Sequence, residues 1–388
     1  MLAAAACGVA VAMNVGKVPV SLPRLREEFG LSLVQAGWVS STLTTLAVLS
    51  ALGVGLLVAR LGAMRMVLGG LLVSAIGSIG ALLATGFAGL VASRISEGAG
   101  FLVVAVAGPA LISAASQPAD RRFCLGIWSS YMPAGAGLAM ALAPLVLPST
   151  GWRGLWIVSS LALLAAAAWA WRERQAYRPT DASGHAVPPL PQTLSVLRSP
   201  LPWLLALAFG LWALQHFALI IWLPTFLDEQ RHMPAGTVAL LTGLMLVVNV
   251  PGNLIGGALV QRGLPRGRLI ALAHAATGLC GWWMMSEALP DGLRYALCVL
   301  LSFSGGLIPA AVMSSSTVLA RSPAQISALQ GLIMQGSQLG QFVGTPLIAA
   351  VVAHTGVWSS ARWVTAGAAA LGIGLGLMAW QLERRIRP

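Results

Sequence analysis

The sequence predicts an all-α polytopic membrane protein with twelve transmembrane helices in two pseudo-symmetric six-helix bundles, and three observations predict this fold class. First, 57% of the 388 residues are hydrophobic and only 9% are charged, whereas soluble domains carry about 25% charged residues. Second, apolar runs near the roughly 20 residues that cross a bilayer recur along the chain. Third, the two halves repeat each other. A mean hydropathy of +0.82 agrees, and a soluble protein is excluded.

The apolar runs define the expected spans in order. We place them at 2–22, 35–59, 66–85, 88–115, 124–147, 154–171, 201–225, 236–260, 268–288, 293–318, 326–352 and 360–381. A barrel would show period-2 alternation, which the sequence lacks, so helices are expected throughout. No basic segment precedes the first run, and we interpret it as a transmembrane helix rather than a signal peptide.

The basic residues predict the orientation of these spans. When alternate loops are assigned to opposite sides, one side carries 15 of the 23 Lys and Arg residues, and it is the side of both termini. Cytoplasmic loops carry an excess of Lys and Arg. We therefore expect a multi-pass protein of the inner (cytoplasmic) membrane with both termini in the cytoplasm.

The longest polar stretch divides the chain. Residues 172–199 are rich in Pro, Ser and Arg and lack helical periodicity, which predicts a cytoplasmic linker. The N-terminal bundle is expected over 1–171 and the C-terminal bundle over 200–388. His185 falls in the linker and is interpreted as a solvated side chain.

An internal repeat supports this division. A shift of 201 residues aligns the sequence features of the two halves. The aligned pairs are Leu22 with Leu223, Pro23 with Pro224, Glu27 with Asp228, Glu28 with Glu229, Gly55 with Gly256, Gly62 with Gly263, and Arg65 with Arg266. Such duplication is typical of secondary transporters, whose repeats rock around a binding site.

Several motifs resemble those of the major facilitator superfamily. The segment GLLVARLGAMR at 55–65 is similar to the family loop G-x-x-x-D-R-x-G-R-R. It keeps Gly55, Arg60, Gly62 and Arg65, whereas alanines replace the acidic residue and one basic residue. The segments RISEGAGF at 94–101 and GWRGLW at 151–156 also resemble family patterns.

The resemblance implies a monomeric transporter that works by alternating access, with the 55–65 loop acting in the conformational change. Within the superfamily, WLPTFL at 222–227 and NVPGNLIGG at 249–257 are similar to the cyanate and nitrate/nitrite porter-like branch. Nitrate porters of this type carry an arginine in spans two and eight. Neither span has one here, so nitrate itself is not the expected substrate.

Once the charged residues at the span ends are assigned to loops, three charged residues remain inside the expected spans: Lys17 in span one and Arg94 and Glu97 in span four. Such groups are expensive in a membrane and usually mark a transport path. Lys17, the only lysine of the chain, is a candidate for binding an anionic substrate. The alternative is that its side chain extends toward the lipid headgroups and places the ammonium there. Arg94 and Glu97 share a helix face and can pair. Glu97 is the candidate for proton coupling, and a fixed structural salt bridge is the alternative.

Span seven places Trp212, Gln215 and His216 on adjoining faces, and the repeat aligns Gln215 with Asn14. All four are candidates for substrate binding. His216 is also a candidate for proton transfer, because histidine titrates near neutral pH. Packing inside an apolar helix is the alternative for His216.

Amides and aromatic residues complete the candidate binding residues. Span eleven has Gln335, Gln338 and Gln341 at steps of three, a polar stripe that indicates a wet cavity or hydrogen bonds between helices. Asn249 and Asn253 in span eight carry the same two alternatives. In span five, Tyr131 and Trp128 are expected to shape a pocket or to pack.

The leading functional hypothesis is a secondary active transporter for a small organic or inorganic anion, with protons as the coupling ion. A proton-driven exporter of drug-like compounds is the alternative, and a receptor built on a transporter fold is a third class. The nucleotide-binding pattern G-x-x-x-x-G-K-[ST] is absent, so we expect energy from an ion gradient. No cofactor, metal site, enzymatic activity or nucleic-acid partner is expected. The expected partners are the substrate, protons and membrane lipids.

Overall fold

The computed structural model describes residues 1–31, 33–117, 119–177, 190–229 and 231–386. Fifteen α-helices run through these residues, with three short 3-10 turns and no strand in the described part. They are α1 Leu2–Phe29, α2 Leu33–Leu61, α3 Ala63–Leu82, α4 Phe87–Ala114, α5 Arg121–Ser129, α6 Tyr131–Arg172, α7 Leu190–Leu194, α8 Pro200–Glu229, α9 Ala235–Val247, α10 Asn249–Gln261, α11 Arg266–Met284, α12 Asp291–Gly305, α13 Leu307–Leu319, α14 Pro323–Thr355 and α15 Ala361–Ile386.

Within the described residues, nine segments are long and apolar enough to cross a membrane. One of them, Phe123–Arg172, is 50 residues long and contains Gly151 at φ 64°, a conformation that interrupts α6. This segment therefore contains the expected spans five and six. The helices α11 and α14 correspond to the expected spans nine and eleven. The predicted all-α polytopic fold is confirmed.

Two expected spans carry a one-residue irregularity near their centres, although each remains a single apolar segment, Gly236–Gln261 and Asp291–Leu319. Span eight is divided between α9 and α10 at Val248, and span ten is divided between α12 and α13 at Gly306. Pro251 and Pro309 follow these points by three residues. A proline lacks the backbone N–H that would bond one turn back, which is a common cause of a break. Val248 and Gly306 keep right-handed helical backbone angles, so each pair of helices forms one span, as the sequence predicts.

The described chain forms two compact units. Unit 1 comprises Met1–Pro118, Tyr131–Leu194 and Arg321–Gly331, and unit 2 comprises Ala119–Ser130, Ser195–Ala320 and Leu332–Pro388. The division into bundles at 172–199 stays a prediction. His185 lies outside the described residues.

The repeat is visible in the turns that follow spans two and eight. Gly62 in unit 1 has φ 89°, and its repeat partner Gly263 in unit 2 has φ 94°. Residues with a side chain rarely adopt positive φ, so glycine is needed at both turns. The 201-residue shift therefore aligns positions with the same backbone conformation.

Close helix contacts position the buried side chains of unit 1. A Cβ on Gly16 of α1 would collide with the carbonyl of Ala136 in α6. A Cβ on Gly77 of α3 would lie 2.8 Å from the backbone nitrogen of Glu97 in α4. Small residues allow membrane helices to approach this closely. As a result, polar side chains of α1, α3 and α4 can reach one another inside unit 1.

Candidate functional site

A buried charged cluster lies inside unit 1, centred on Lys17. Its Nζ donates hydrogen bonds to Oε1 of Glu97 at 2.7 Å and to Oδ1 of Asn14 at 2.7 Å. A third bond runs to the hydroxyl of Ser78. The ammonium also lies 4.5 Å from the ring centroid of Trp156. All three ammonium donors therefore have partners, drawn from α1, α3 and α4.

Arg94 approaches the same carboxylate from the other side. Its Nη1 donates to Oε2 of Glu97, one turn along α4, and also to the carbonyl of Asn14 at 2.9 Å. Its Nε donates to the carbonyl of Val39 at 3.1 Å. Arg94 is 2% exposed, so the guanidinium is held by fixed protein groups. Glu97 is thus bonded by both cations at once.

The cluster carries an excess of positive charge. Lys17 and Glu97 are 0% exposed, and two cations share one carboxylate. Burying charges costs several kcal/mol per ion unless partners compensate. Hydrogen bonds supply part of the compensation, and Ser78 donates to Oε1 of Glu97 at 2.7 Å. The remaining charge of one cation is available to attract an anion.

Sequence reasoning identified the three charged residues and Asn14 but missed Ser78 and Trp156. Both lie on helices that are apolar on most faces, so no amphipathic stripe marks them. Ser74 and Ser78, one turn apart in α3, were the available signal, because small polar residues often bond across membrane helices. Ser74 donates to the carbonyl of Glu97 at 3.0 Å.

Unit 2 contains an uncharged polar network. The Nε2 of His216 in α8 lies 2.9 Å from the hydroxyl of Ser302 in α12. Asn249 in α10 donates to the carbonyl of Ser302 at 2.7 Å, and Asn253 donates to Oδ1 of Asn249 at 2.7 Å. The ring of Trp212 stacks on His216 with centroids 4.9 Å apart. Sequence reasoning named all of these except Ser302.

Several buried polar atoms of unit 2 have no hydrogen-bond partner among the described residues. They are Nδ1 of His216, Nε1 of Trp212, and the side-chain oxygens of Gln215, Asn253, Gln338 and Gln341. Buried polar atoms are rarely left unpaired in proteins. The unpaired atoms therefore indicate places where water or a bound molecule is accommodated.

The other predicted residues occupy varied environments. Tyr131 is buried and its ring lies 6.3 Å from that of Phe101, and Trp128 is buried as well. Gln335 is half-buried. The described part of the chain holds no cluster of three or more His, Cys, Asp or Glu residues that would bind a metal.

The 55–65 loop motif separates into a packed end and an exposed end. Gly55 is buried, and a Cβ there would lie 2.5 Å from the carbonyl oxygen of Ser327. Arg60, Gly62 and Arg65 are exposed. The motif therefore contributes a close helix contact at one end and an exposed turn at the other.

Comparison with known proteins agrees with this architecture. The Major Facilitator Superfamily profile matches residues 4–345. The chain is 28% identical to the cyanate transport protein CynX of Escherichia coli (strain K12), over 74% of this chain and 77% of that protein. It is 30% identical to the 2-nitroimidazole transporter of the same organism, over 60% of this chain and 58% of that protein.

A solved structure shows the same fold. The Escherichia coli fucose:proton symporter, FucP, superposes with a TM-score of 0.74 at 17% identity, covering 97% of this chain and 98% of that chain. At this identity the likeness establishes the fold alone. The profile match over most of the sequence establishes the family: the chain is a transporter of the major facilitator superfamily and not an enzyme.

Proposed function

We propose that this transporter moves a small organic or inorganic anion together with a proton, by alternating access. The observation that carries the proposal is the buried cluster of Lys17, Arg94 and Glu97, in which two cations share one carboxylate. An anion is the ligand that such a charge excess attracts most strongly in a medium of low dielectric constant.

The geometry supports a simple coupling step. While Glu97 is ionised it holds both cations, and an anion must compete with it. Transfer of a proton to Glu97 makes its carboxyl neutral and weakens both ion pairs. The substrate anion then takes the place of the carboxylate beside Lys17 and Arg94. The cluster carries one net positive charge before and after this exchange, so one proton and one anion travel together.

Unit 2 contains its own uncharged candidate groups for substrate binding. His216, Trp212, Gln215 and Gln338 each hold a buried atom without a partner in the described chain. We propose that these residues of unit 2, with Asn249 and Gln335 of the same unit, make hydrogen bonds and ring contacts to the substrate. Within unit 1 we propose Asn14 and Tyr131 as substrate-binding residues. A few placed polar groups in an apolar surrounding are the usual source of orientation in such sites.

The substrates in the names of two relatives support different candidate functions. Cyanate, the substrate in the name of one relative, is a small anion and supports the leading proposal. The 2-nitroimidazole transporter handles a neutral heteroaromatic compound, which favours the second candidate, an exporter of drug-like compounds. Against the exporter, the described spans of unit 1 bury one carboxylate, and two cations already hold it.

The basic residues concentrated on the side of both termini support a cytoplasmic location for these termini in the inner membrane. We propose this orientation for a monomeric transporter. Labelling of single cysteines placed at each terminus, from outside intact cells, tests it. Labelling by an impermeant reagent at either terminus would overturn the orientation.

A ligand screen tests the substrate class. Purified protein is heated with small anions, including cyanate and short carboxylates, and with lipophilic cations or 2-nitroimidazole as the comparison set. A ligand that binds the folded state raises apparent stability by mass action. We expect stabilisation by at least one anion, and stronger stabilisation at acidic pH, because Glu97 then accepts a proton more readily. Stabilisation by the comparison set alone would reverse the order of the two candidates.

A further inference from the structure

Two helices of unit 2, α11 and α15, pack closely over most of their length, and glycines allow this contact. A Cβ on Gly267 would collide with the backbone of Trp380 at one end of the pair. At the other end, a Cβ on Gly281 would lie 3.0 Å from the hydroxyl of Thr365. Because the two helices approach so closely, side chains from both meet on the outer surface of the pair.

Two arginines meet one tryptophan on this surface. The guanidinium carbons of Arg268 in α11 and of Arg384 in α15 each lie 5.8 Å from the ring centroid of Trp380. The two carbons are therefore at most twice that distance apart. Both arginines are exposed. A cation placed at this distance from an indole ring is attracted to the ring, so Trp380 keeps two positive charges together.

Neither arginine forms an ion pair with a carboxylate in the described part of the chain. Glu383 is next to Arg384 in the sequence, but its carboxylate has other partners. It accepts a hydrogen bond from the backbone N–H of Gly267 at 3.2 Å and pairs with Arg266 at 3.5 Å. The charges of Arg268 and Arg384 therefore lack an acidic partner among the described residues.

Helix stability accounts for Arg384 but not for Arg268. Arg384 lies in the last turn of α15, where the partial negative charge of a helix end favours a cation. Arg268 is the third residue of α11, where the partial positive charge of the helix end disfavours a cation. An anion beside Arg268 would be attracted by the guanidinium and by the start of α11 together.

An exposed apolar surface continues from the two arginines along both helices. Leu272 follows Arg268 by one turn and is 56% exposed, and Leu279 lies two turns further along α11 and is 64% exposed. Leu377 precedes Arg384 by two turns and is 41% exposed. Residues at these spacings share one face of a helix. An apolar surface that begins beside unpaired cations fits a ligand with an anionic head and a hydrocarbon tail.

Aromatic residues at the opposite end of the helix pair indicate how this surface lies in the membrane. The rings of Trp282 in α11 and Trp363 in α15 have centroids 4.8 Å apart. Trp380 follows Trp363 by 17 residues, which corresponds to about 26 Å of helix. Tryptophans concentrate at both membrane interfaces, and the hydrocarbon core between them is about 30 Å thick. Trp380 and its two arginines therefore lie at the level of the lipid headgroups.

We propose that this surface binds an anionic phospholipid, with the phosphate between Arg268 and Arg384 and an acyl chain along Leu272 and Leu377. Guanidinium groups donate parallel N–H bonds to phosphate oxygens. A zwitterionic lipid also has a phosphate, but it carries an ammonium group that the arginines repel. The site uses no group of the charged cluster in unit 1, so it is independent of the transport proposal.

Native mass spectrometry of the full-length protein in a neutral detergent tests the proposal. The protein is titrated with phosphatidylglycerol or with phosphatidylcholine of the same acyl chains, and the bound lipids are counted. We expect the first phosphatidylglycerol to bind at least about tenfold more tightly. Glycerol phosphate, which has no acyl chain, should not displace it. Equal binding of the two lipids, displacement by glycerol phosphate, or a dimer that excludes lipid would overturn the proposal.

Paired variants make the test specific to this surface. Arg268→Gln combined with Arg384→Gln should weaken the binding of phosphatidylglycerol at least about tenfold. Arg172→Gln combined with Arg198→Gln removes the same charge from two other exposed positions and should change the affinity less than about twofold. Equal losses in the two double variants would rule the site out. Anion uptake is measured separately, so failure here leaves the transport proposal unaffected.

Discussion

The Nζ of Lys17 lies 2.7 Å from Oε1 of Glu97, across the contact between α1 and α4, and both side chains are 0% exposed. A lysine that snorkelled toward the headgroups would keep its ammonium at the interface. Here the ammonium is enclosed by Asn14, Ser78 and Glu97, with the ring of Trp156 beside it. The proposed roles of Lys17 and Glu97 in transport depend on this enclosed ion pair.

Replacing Lys17 with Gln should reduce anion uptake by more than about 100-fold, because it removes one of the two cations that attract the substrate. Glu97 keeps its bond to Arg94 in this variant, so the protein should still fold. Uptake of the radiolabelled anion into proteoliposomes measures the effect. Arg172→Gln, at an exposed position, is the matched control and should stay within about twofold of the parent. Normal uptake by folded Lys17→Gln protein would remove Lys17 from the transport path.

Replacing Glu97 with Gln should separate anion binding from proton coupling. Glutamine imitates the protonated carboxyl, so Lys17 and Arg94 lose their counterion and attract the anion at every pH. We expect the stabilisation by anion in thermal unfolding to increase and to lose its dependence on pH. The ratio of uptake with and without an inward proton gradient should fall to about one. Retention of the parent ratio would show that another group carries the proton.

Much of this fold could be predicted because the strongest signals are local. Span lengths follow from the thickness of the bilayer, and the turns at Gly62 and Gly263 follow from motif positions that the repeat aligns. The local irregularities at Val248 and Gly306 could not be predicted, since a proline in a membrane helix does not always disturb it. Pro109, for example, lies inside the continuous helix α4.

The candidate site was only partly predictable. Arg94 and Glu97 are three residues apart, so one helix already places them together. The contacts of Lys17 with Ser78 and Trp156 depend on how α3 and α6 are rotated. Helices that are apolar on most faces give no periodic signal for that rotation.

The hydrogen bond between His216 and Ser302 should contribute to the stability of unit 2. Ser302→Ala removes the 2.9 Å partner of the buried Nε2 and should lower the free energy of unfolding by about 1–3 kcal/mol. Ser304→Ala is the matched control, because the hydroxyl of Ser304 donates, within the described part of the chain, to carbonyls of its own helix. Thermal unfolding in one detergent measures both. Equal losses in the two variants would show that His216 does not depend on this partner.

The ion pair between Glu28 and Arg153 should make a small, pH-dependent contribution to stability. The hydrogen bond from Arg153, assisted by Trp152, holds the pKa of Glu28 below its usual value of 4.5. A lowered pKa means that the contribution is present above the usual value and is lost as the pH falls through the folded-state value.

Thermal unfolding of the parent and of Glu28→Gln over a pH series measures this contribution. The difference should be below about 1 kcal/mol at neutral pH, since both partners are partly exposed. It should shrink toward zero in acid, where the parent carboxyl is protonated. A difference that grows as the pH falls would contradict this assignment.

The close contact at Gly55 should tolerate no side chain, in contrast to Gly53 on the same helix. A Cβ at Gly55 would lie 2.5 Å from the carbonyl oxygen of Ser327 and 3.2 Å from the Cα of Gly331, whereas a Cβ at Gly53 meets nothing within 4 Å. Alanine is favoured over glycine in a helix by about 1 kcal/mol. Gly53→Ala should therefore keep or raise the melting temperature.

Gly55→Ala gains the same helix propensity, but the new methyl group meets backbone atoms, which cannot rotate away as a side chain can. The two helices must separate, and overpacking of this kind costs about 1–3 kcal/mol. We expect a lower melting temperature for Gly55→Ala than for Gly53→Ala under identical conditions. Equal melting temperatures for the two variants would show that this contact does not explain the glycine at position 55. The exposed turn with Arg60 and Arg65 would then be the part of the motif to test.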